Sequence, residues 1–427
     1  MKEPATGKLM YPLNRGDYDG YMPQWGGLPA LRAHIERIRR AGILPMFYTD
    51  PVLACANTKL GRDYGRRYGI MNPLWKDSYG TGKTPEGYVG SYGSYNMCVD
   101  TEWYSAYVAR TIGRVCRETG IDGVRLDEYG HRGYVCHSDQ HEHLFAEPGH
   151  NAWLQALARN VRQVHAAMDA VRPGLVLTTE FPGHDHMAAA LEGAIVYDVR
   201  RNRPVRPTPI NLLRFYFPEC KAFEIDRPER RHARAMMLWN AAGAFGAFYT
   251  PAQHALLKEN TDAFERRGNE PLVPTLVPRV YANRFGAGDK RIVTLHNATG
   301  HTVEGPVLAV EADADHHFVE LLTGRELAPI DVDGVKAIRL KLRRDQTVVI
   351  ARFPRVLRIE EGRLRVRTGG AGMVIVAAGV DGAHLARFAS GDRLSEPGKG
   401  KRPVMLKLLR AGMLVDAVPW PGHGADG

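Results

Sequence analysis

Cysteine is scarce in this chain: five in 427 residues, at positions 55, 98, 116, 136 and 220, with no Cys-x-x-Cys pair. An odd, widely spaced set excludes a disulfide-stapled scaffold and reads as reduced structural thiols. Long apolar runs are missing as well. No stretch approaches the roughly 18 uninterrupted apolar residues of a membrane helix. The opening Met1-Lys-Glu-Pro-Ala-Thr-Gly-Lys lacks the apolar centre of a signal peptide. No membrane partner and a cytoplasmic location are therefore expected, the latter only if the chain begins where this sequence does. Basic residues outnumber acidic ones, 57 to 47, for a net charge of +10. They are scattered through loops and the C-terminal third instead of clustering beside aromatics on one helix, which argues against a nucleic-acid partner.

What is present is ample apolar material, 44% of residues, in a chain long enough for two or three domains. Helical periodicity (Leu28, Leu31, Ile35, Ile38) precedes the strand-like Ile43-Leu-Pro-Met-Phe-Tyr48. The segment 49–100, rich in Gly, Tyr, Asn and Pro, has no period and is read as a long active-site loop. Helix 102–119 then leads to strand 122–127, helix 151–171 to strand 175–180, and a short helix near 184–191 to strand 194–198. Strand 220–225, helix 229–241, strand 243–249 and a helix over 253–267 follow. Repeated βα units predict a parallel sheet closed as a (β/α)8 barrel over residues 1–272. Only six barrel strands are legible, with 8–11 or 16–21 offering a seventh, so the barrel is expected to lack its first strand or to begin upstream. Beyond 272 the pattern changes to short alternating strands, predicting all-β sandwich architecture in a domain at 273–354 and a second small β domain at 355–427.

Gly123 to His131 read G-V-R-L-D-E-Y-G-H, an apolar strand delivering Arg125 and Asp127 to one side because strand side chains alternate. A guanidinium neighbour suits a carboxylate that must stay charged to act as a nucleophile. The run Leu175-Val-Leu-Thr-Thr ends on Glu180, beside Phe181, and an acid against an aromatic ring suits a general acid. In a barrel every strand tip opens on one face, so Asp127 and Glu180 form a two-carboxylate site of the kind that cleaves glycosidic bonds. Buried Arg–Asp capping of the strand, and a helix-start role for Glu180, are the bland alternatives.

The motif G-V-R-L-D-E-Y-G-H resembles the fourth-strand signature of α-amylase-superfamily glycosidases, and endo-α-N-acetylgalactosaminidase-type barrels carry a comparable fourth-strand aspartate and fifth-strand glutamate. The resemblance covers roughly residues 10 to 270. It implies Asp127 as nucleophile, Arg125 as its orienter, His131 as a sugar contact and Glu180 as acid/base, on a retaining glycoside hydrolase acting on an oligo- or polysaccharide without a cofactor. The superfamily's third-strand aspartate with Asn-His is absent, and Tyr48-Thr-Asp50-Pro stands at that tip. Lys221-Ala-Phe-Glu224-Ile-Asp226 replaces the seventh-strand Asn-His-Asp, leaving Glu224 or Asp226 as a third acid by position. Similarity to α-galactosidase-like barrels implies instead Asp198 as acid/base, with Glu180 as a substrate ligand.

Tyr48 and Tyr129, with Trp75, Tyr92, Tyr95 and Trp103, offer rings that stack on sugars or pack inside. The loop after the fourth strand carries His131, Cys136, His137, His141, Glu142, His143 and His150. That spacing fits no standard zinc pattern, so no metal is expected there and the histidines read as cleft-lining or solvated. The class that competes with the hydrolase is a non-catalytic carbohydrate-binding or truncated barrel protein.

Overall fold

A computed structural model describes residues 21, 23–56, 58–73, 87–91, 94–130, 133–145, 150–195, 212–224, 234–235, 238–241, 243–244, 249–265, 267–367, 372–398, 400 and 402–423. The chain forms two compact units, Met1–Val196 and Tyr197–Gly427. The expected domain boundaries after 272 and 354 both fall within the second.

The first unit opens with helix α1 (Gly27–Arg40) and strand β1 (Met46–Thr49). The segment read as a long loop is built: strand β2 (Leu53–Cys55), helix α2 (Lys59–Tyr68) and strands β3 (Gly90–Ser91) and β4 (Ser94–Asn96) form an antiparallel sheet ordered β2-β4-β3 with the helix against it. Helix α2 escaped the hydrophobic pattern because its buried face, Leu60, Gly61, Gly65 and Tyr68, is half glycine. Both glycines are there for close approach. A Cβ on Gly61 would lie 2.0 Å from the Cys55 carbonyl oxygen, and one on Gly65 2.3 Å from the Tyr95 ring.

Helix α3 (Glu102–Thr119) has the start and stop its sequence announces. Thr101 accepts the Tyr104 N–H, Glu102 sits in the first turn, and Gly120 takes the left-handed conformation at φ 71°. Strand β5 (Gly123–Leu126), helix α4 (His150–Asp169), strand β6 (Val176–Thr179), helix α5 (Asp185–Ala188) and strand β7 (Gly193–Ile195) follow. Strands β1, β5, β6 and β7 lie side by side in that order, all parallel. Their residues Thr49, Leu126, Thr179 and Ala194 stand at one level of the sheet. Val124 and Leu126 are buried, the apolar alternate positions of a covered parallel strand.

In the second unit, helix α6 (Leu212–Tyr216) precedes a parallel pair, β8 (Lys221–Glu224) and β9 (Gly243–Ala244). Helix α7 (Pro251–Glu259) is shorter than its predicted span. Thr250 and Gln253 close a capping box at its start, and at its end Asn260 turns its amide back onto the Leu256 carbonyl. Antiparallel sheets occupy the rest. One has six strands, in the order Glu270–Val273, Val280–Phe285, Arg291–Asn297, Thr347–Pro354, His316–Glu320, Arg325–Leu327. It shares an apolar core, including Leu295, Phe318 and Ile350, with a three-stranded sheet that supplies Val307, Ile338 and Leu340. A hairpin (Leu357–Glu360, Arg363–Val366) and a four-stranded sheet (from Met373–Gly379 to Met413–Pro419) pack around Ile375, Leu406, Leu408 and Trp420. Closure of the parallel strands into a barrel is not among the pairings of the described residues. No helix among those residues is long and apolar enough to cross a membrane.

Candidate active site

The residues one step beyond the level of Thr49, Leu126 and Thr179 are Asp50, Asp127 and Glu180, so three adjacent parallel strands each end on an acid. Backbone bonds continue the ladder to these tips: Asp127 N–H donates to the Thr49 carbonyl at 2.7 Å, and Glu180 N–H to the Leu126 carbonyl at 3.0 Å. Asp127 is held at both oxygens. Arg125 Nη2 donates to Oδ1 at 2.6 Å and the Tyr48 hydroxyl to Oδ2 at 2.5 Å, while the guanidinium lies 5.3 Å from the centre of the Tyr48 ring. A carboxylate has lone pairs beyond these two bonds, so Asp127 is oriented without being saturated by them. Its side chain keeps 16% of its exposure, and Tyr48 keeps 44%.

Glu180 reaches the same place from the neighbouring strand. Its Oε2 accepts the N–H of Glu128, the residue after Asp127, at 3.2 Å. Glu128 holds the left-handed conformation, φ 60°, which costs a non-glycine residue free energy and turns the chain sharply behind the acid. Gly130 then lets the two strand-tip loops touch, since a Cβ there would lie 2.0 Å from the Phe181 carbonyl oxygen.

The other predicted residues divide. Arg125 and Tyr48 are in the site, Tyr48 as a hydrogen-bond donor to Asp127. Tyr129 is not a sugar contact. It is fully buried, and its hydroxyl donates to Asn160 Oδ1 at 2.6 Å; Asn160 in turn donates to the carbonyl and hydroxyl of Ser105 on α3. An aromatic ring two residues past a strand-tip acid is here the anchor of the loop that carries it. Asp50 is also corrected. At 1% exposure it is sealed from any ligand, and its Oδ1 accepts the Val52 N–H, a turn-forming role at the tip of β1. His131 and Asp198 lie outside the described residues, as do Trp75, Tyr92 and Asp226. Glu224 is the last residue of β8, with its side chain outside what is described. Trp103 is committed to a ring stack with Tyr68 at 4.3 Å and Tyr107 at 5.4 Å. A cavity of roughly 670 Å³ lies in the second unit beside Glu320, Arg343 and Thr347 and is lined by none of these residues.

Sequence spacing missed a second polar cluster. Cys98, Cys136, His141 and His143 bring one donor atom each to within 4.8 Å of one another. These two histidines, half-buried, thus gather with two cysteines instead of lining the strand-tip acids. Cys136 is held well below the usual thiol range by the hydrogen bond from Cys98, with His141 and His143 acting in the same direction against burial. The same hydrogen bond, with burial, pushes Cys98 up. Burial raises nearby Asp100 to about 6. Cys98 stands 38 positions before Cys136, so no local motif could have joined them.

No curated protein matches this chain. A family model described as a domain of unknown function (DUF6259) matches residues 12–212. Among solved structures, an α-amylase from H. orenii is similar with a TM-score of 0.54 at 14% identity, over 82% of this chain and 88% of that one. An Anoxybacillus α-amylase gives a TM-score of 0.52 at 12% identity, over 80% of this chain and 83% of its own. The Nostoc punctiforme debranching enzyme gives 0.50 at 11%, over 82% and 84%. At such identities the likeness is one of fold alone: a parallel β/α sheet followed by antiparallel sheets.

Proposed function

We propose that this protein is a retaining glycoside hydrolase of oligo- or polysaccharides, with Asp127 as nucleophile and Glu180 as acid/base. One observation carries the reading: Glu180 is hydrogen-bonded to the backbone next to Asp127, so acids from two strand tips share one partly exposed place. Asp127 would attack the anomeric carbon as Glu180 protonates the leaving oxygen. Water activated by Glu180 would then release the sugar from Asp127. Arg125 and Tyr48 fix the attacking carboxylate in rotation, which is most of what a nucleophile needs from its neighbours. The reading includes closure of the parallel strands as a (β/α)8 barrel, the arrangement that gathers strand tips on one face, and it is supported by the fold shared with two α-amylases and a debranching enzyme.

The test is a panel of α- and β-linked aryl glycosides, with the first-formed sugar followed by NMR. Hydrolysis with retained anomeric configuration is expected for at least one member. Inverted product would move Glu180 or Asp127 to the role of general base, and no hydrolysis across the panel would favour a non-catalytic carbohydrate-binding protein.

A further inference from the structure

The cluster of Cys98, Cys136, His141 and His143 has the composition of a metal centre. Three separate pieces of chain build it: Cys98 between β4 and α3, Cys136 with His141 and His143 in the loop between β5 and α4, and the segment after α2 that holds them. Cys98 N–H donates to the Tyr68 carbonyl and His137 N–H to the Met71 carbonyl, both at 2.7 Å, and Met71 N–H points at the Cys136 sulfur at 3.5 Å. His141 Nδ1 lies 2.7 Å from the Arg67 carbonyl oxygen, a partner that can only accept. That contact puts the proton on Nδ1 and leaves Nε2 as a bare donor, 3.6 Å from the Cys136 sulfur. With metal–sulfur and metal–nitrogen bonds of about 2.3 and 2.0 Å, the ligand atoms of a tetrahedral zinc site stand roughly 3.3 to 3.8 Å apart, and this pair already does. His143 Nε2 is sealed from solvent with no hydrogen-bond partner of its own. Aromatic rings stand beside the four: Tyr68 stacks on Trp103, and His141 lies against Tyr68.

We propose that Cys98, Cys136, His141 and His143 form a closed tetrahedral site for one zinc ion, which pins the loop following Asp127 to the small antiparallel sheet and its helix. Two thiolates and two neutral imidazoles compensate the dication's charge, with the displaced protons passing to solvent. An S2N2 donor set selects zinc over hard cations such as calcium or magnesium. Four protein ligands leave no open position, so the ion is structural, not catalytic. Nothing here rests on the hydrolase reading, because metal content is measured without a substrate.

The experiment uses the full chain, purified without a histidine tag or chelator, and measures metal by plasma mass spectrometry. About one zinc per chain is expected, with loss to below about a tenth of an equivalent in Cys136→Ser and His143→Ala, and no change in Cys116→Ser or His137→Ala. Because a ligand variant can fail by unfolding, the wild-type protein is also stripped and reloaded with Co²⁺. Visible ligand-field bands and thiolate-to-cobalt charge transfer, saturating at one equivalent, are expected. Wild-type protein with no stoichiometric zinc and no such spectrum would overturn the proposal. So would unchanged zinc in Cys136→Ser, or an intact mass showing a Cys98–Cys136 disulfide in freshly purified protein.

Discussion

The two ends of β5 carry an aspartate each, and the two are held in opposite ways. At the start, Asp122 faces the helical layer and is bracketed by two arginines. Arg39 reaches Oδ2 through Nη2 at 3.0 Å and Nε at 3.1 Å, and Arg172 reaches Oδ1 at 2.6 Å. At the far end, Asp127 has one arginine and one phenol, keeps part of its exposure, and has a second acid beside it. Both contain an Arg–Asp pair, so the pair itself says nothing about chemistry. Among the described residues, Asp122 sits between two arginines, whereas Asp127 has one arginine and an acid from the next strand tip beside it. The first arrangement fastens sheet to helix; the second, with acids on adjacent strand tips, is the one on which the proposed hydrolase rests.

That contrast breaks most sharply under paired substitution. Asp127→Asn should lower kcat on any cleaved glycoside by at least about 10³-fold with little change in melting temperature. Asp122→Asn should do the reverse, leaving turnover near wild type and lowering stability by about 1–3 kcal/mol through its stranded arginines. Chemical denaturation alongside steady-state kinetics reads both. Next in size, Glu180→Gln should cost about 10²- to 10⁴-fold on substrates with poor leaving groups. It should cost far less on activated aryl glycosides in the first step, and a uniform loss across leaving groups would remove Glu180 from the acid role.

The second unit holds a buried histidine paired with two acids. His317 Nε2 lies 2.6 Å from Asp416 Oδ1, its Nδ1 is 3.3 Å from Glu326, and Asp416 Oδ2 also accepts the N–H groups of Val356 and Leu357. Burial alone would lower His317, but the bonds to Asp416 and Glu326 prevail and raise it to about 9. A raised folded-state value stabilises fully below the unfolded value near 6.5 and is lost as pH climbs through 9. Stability measured by denaturation should therefore fall by an amount on the order of 3 kcal/mol between pH 6.5 and 9. His317→Ala should flatten that slope, and a slope unchanged in the variant would remove His317 as its cause.

Much of the first unit is legible in the sequence where local chemistry decides it. Thr101 and Gly120 bound α3, the alternation of Val124 and Leu126 gives β5, and Arg125 and Asp127 share a side because of the pleat. Helix α2 was hidden because glycines, not apolar residues, make its buried face. Tyr129 read as a candidate sugar platform because nothing local reveals Asn160, 31 residues away, as its partner. The four-residue cluster was hidden for the same reason: its loop supplies three of the side chains, and the fourth, Cys98, arrives only through tertiary packing. Asp50 sits at the right level of the sheet but turns inward, a choice that register alone does not reveal.

The central claim is spatial, and the distance between the carboxyl groups of Asp127 and Glu180 in a crystal structure with a bound sugar tests it most directly. The account predicts about 5 to 5.5 Å, with the glycosidic bond between them. A separation beyond about 9.5 Å, or a sugar seated away from both, would contradict it.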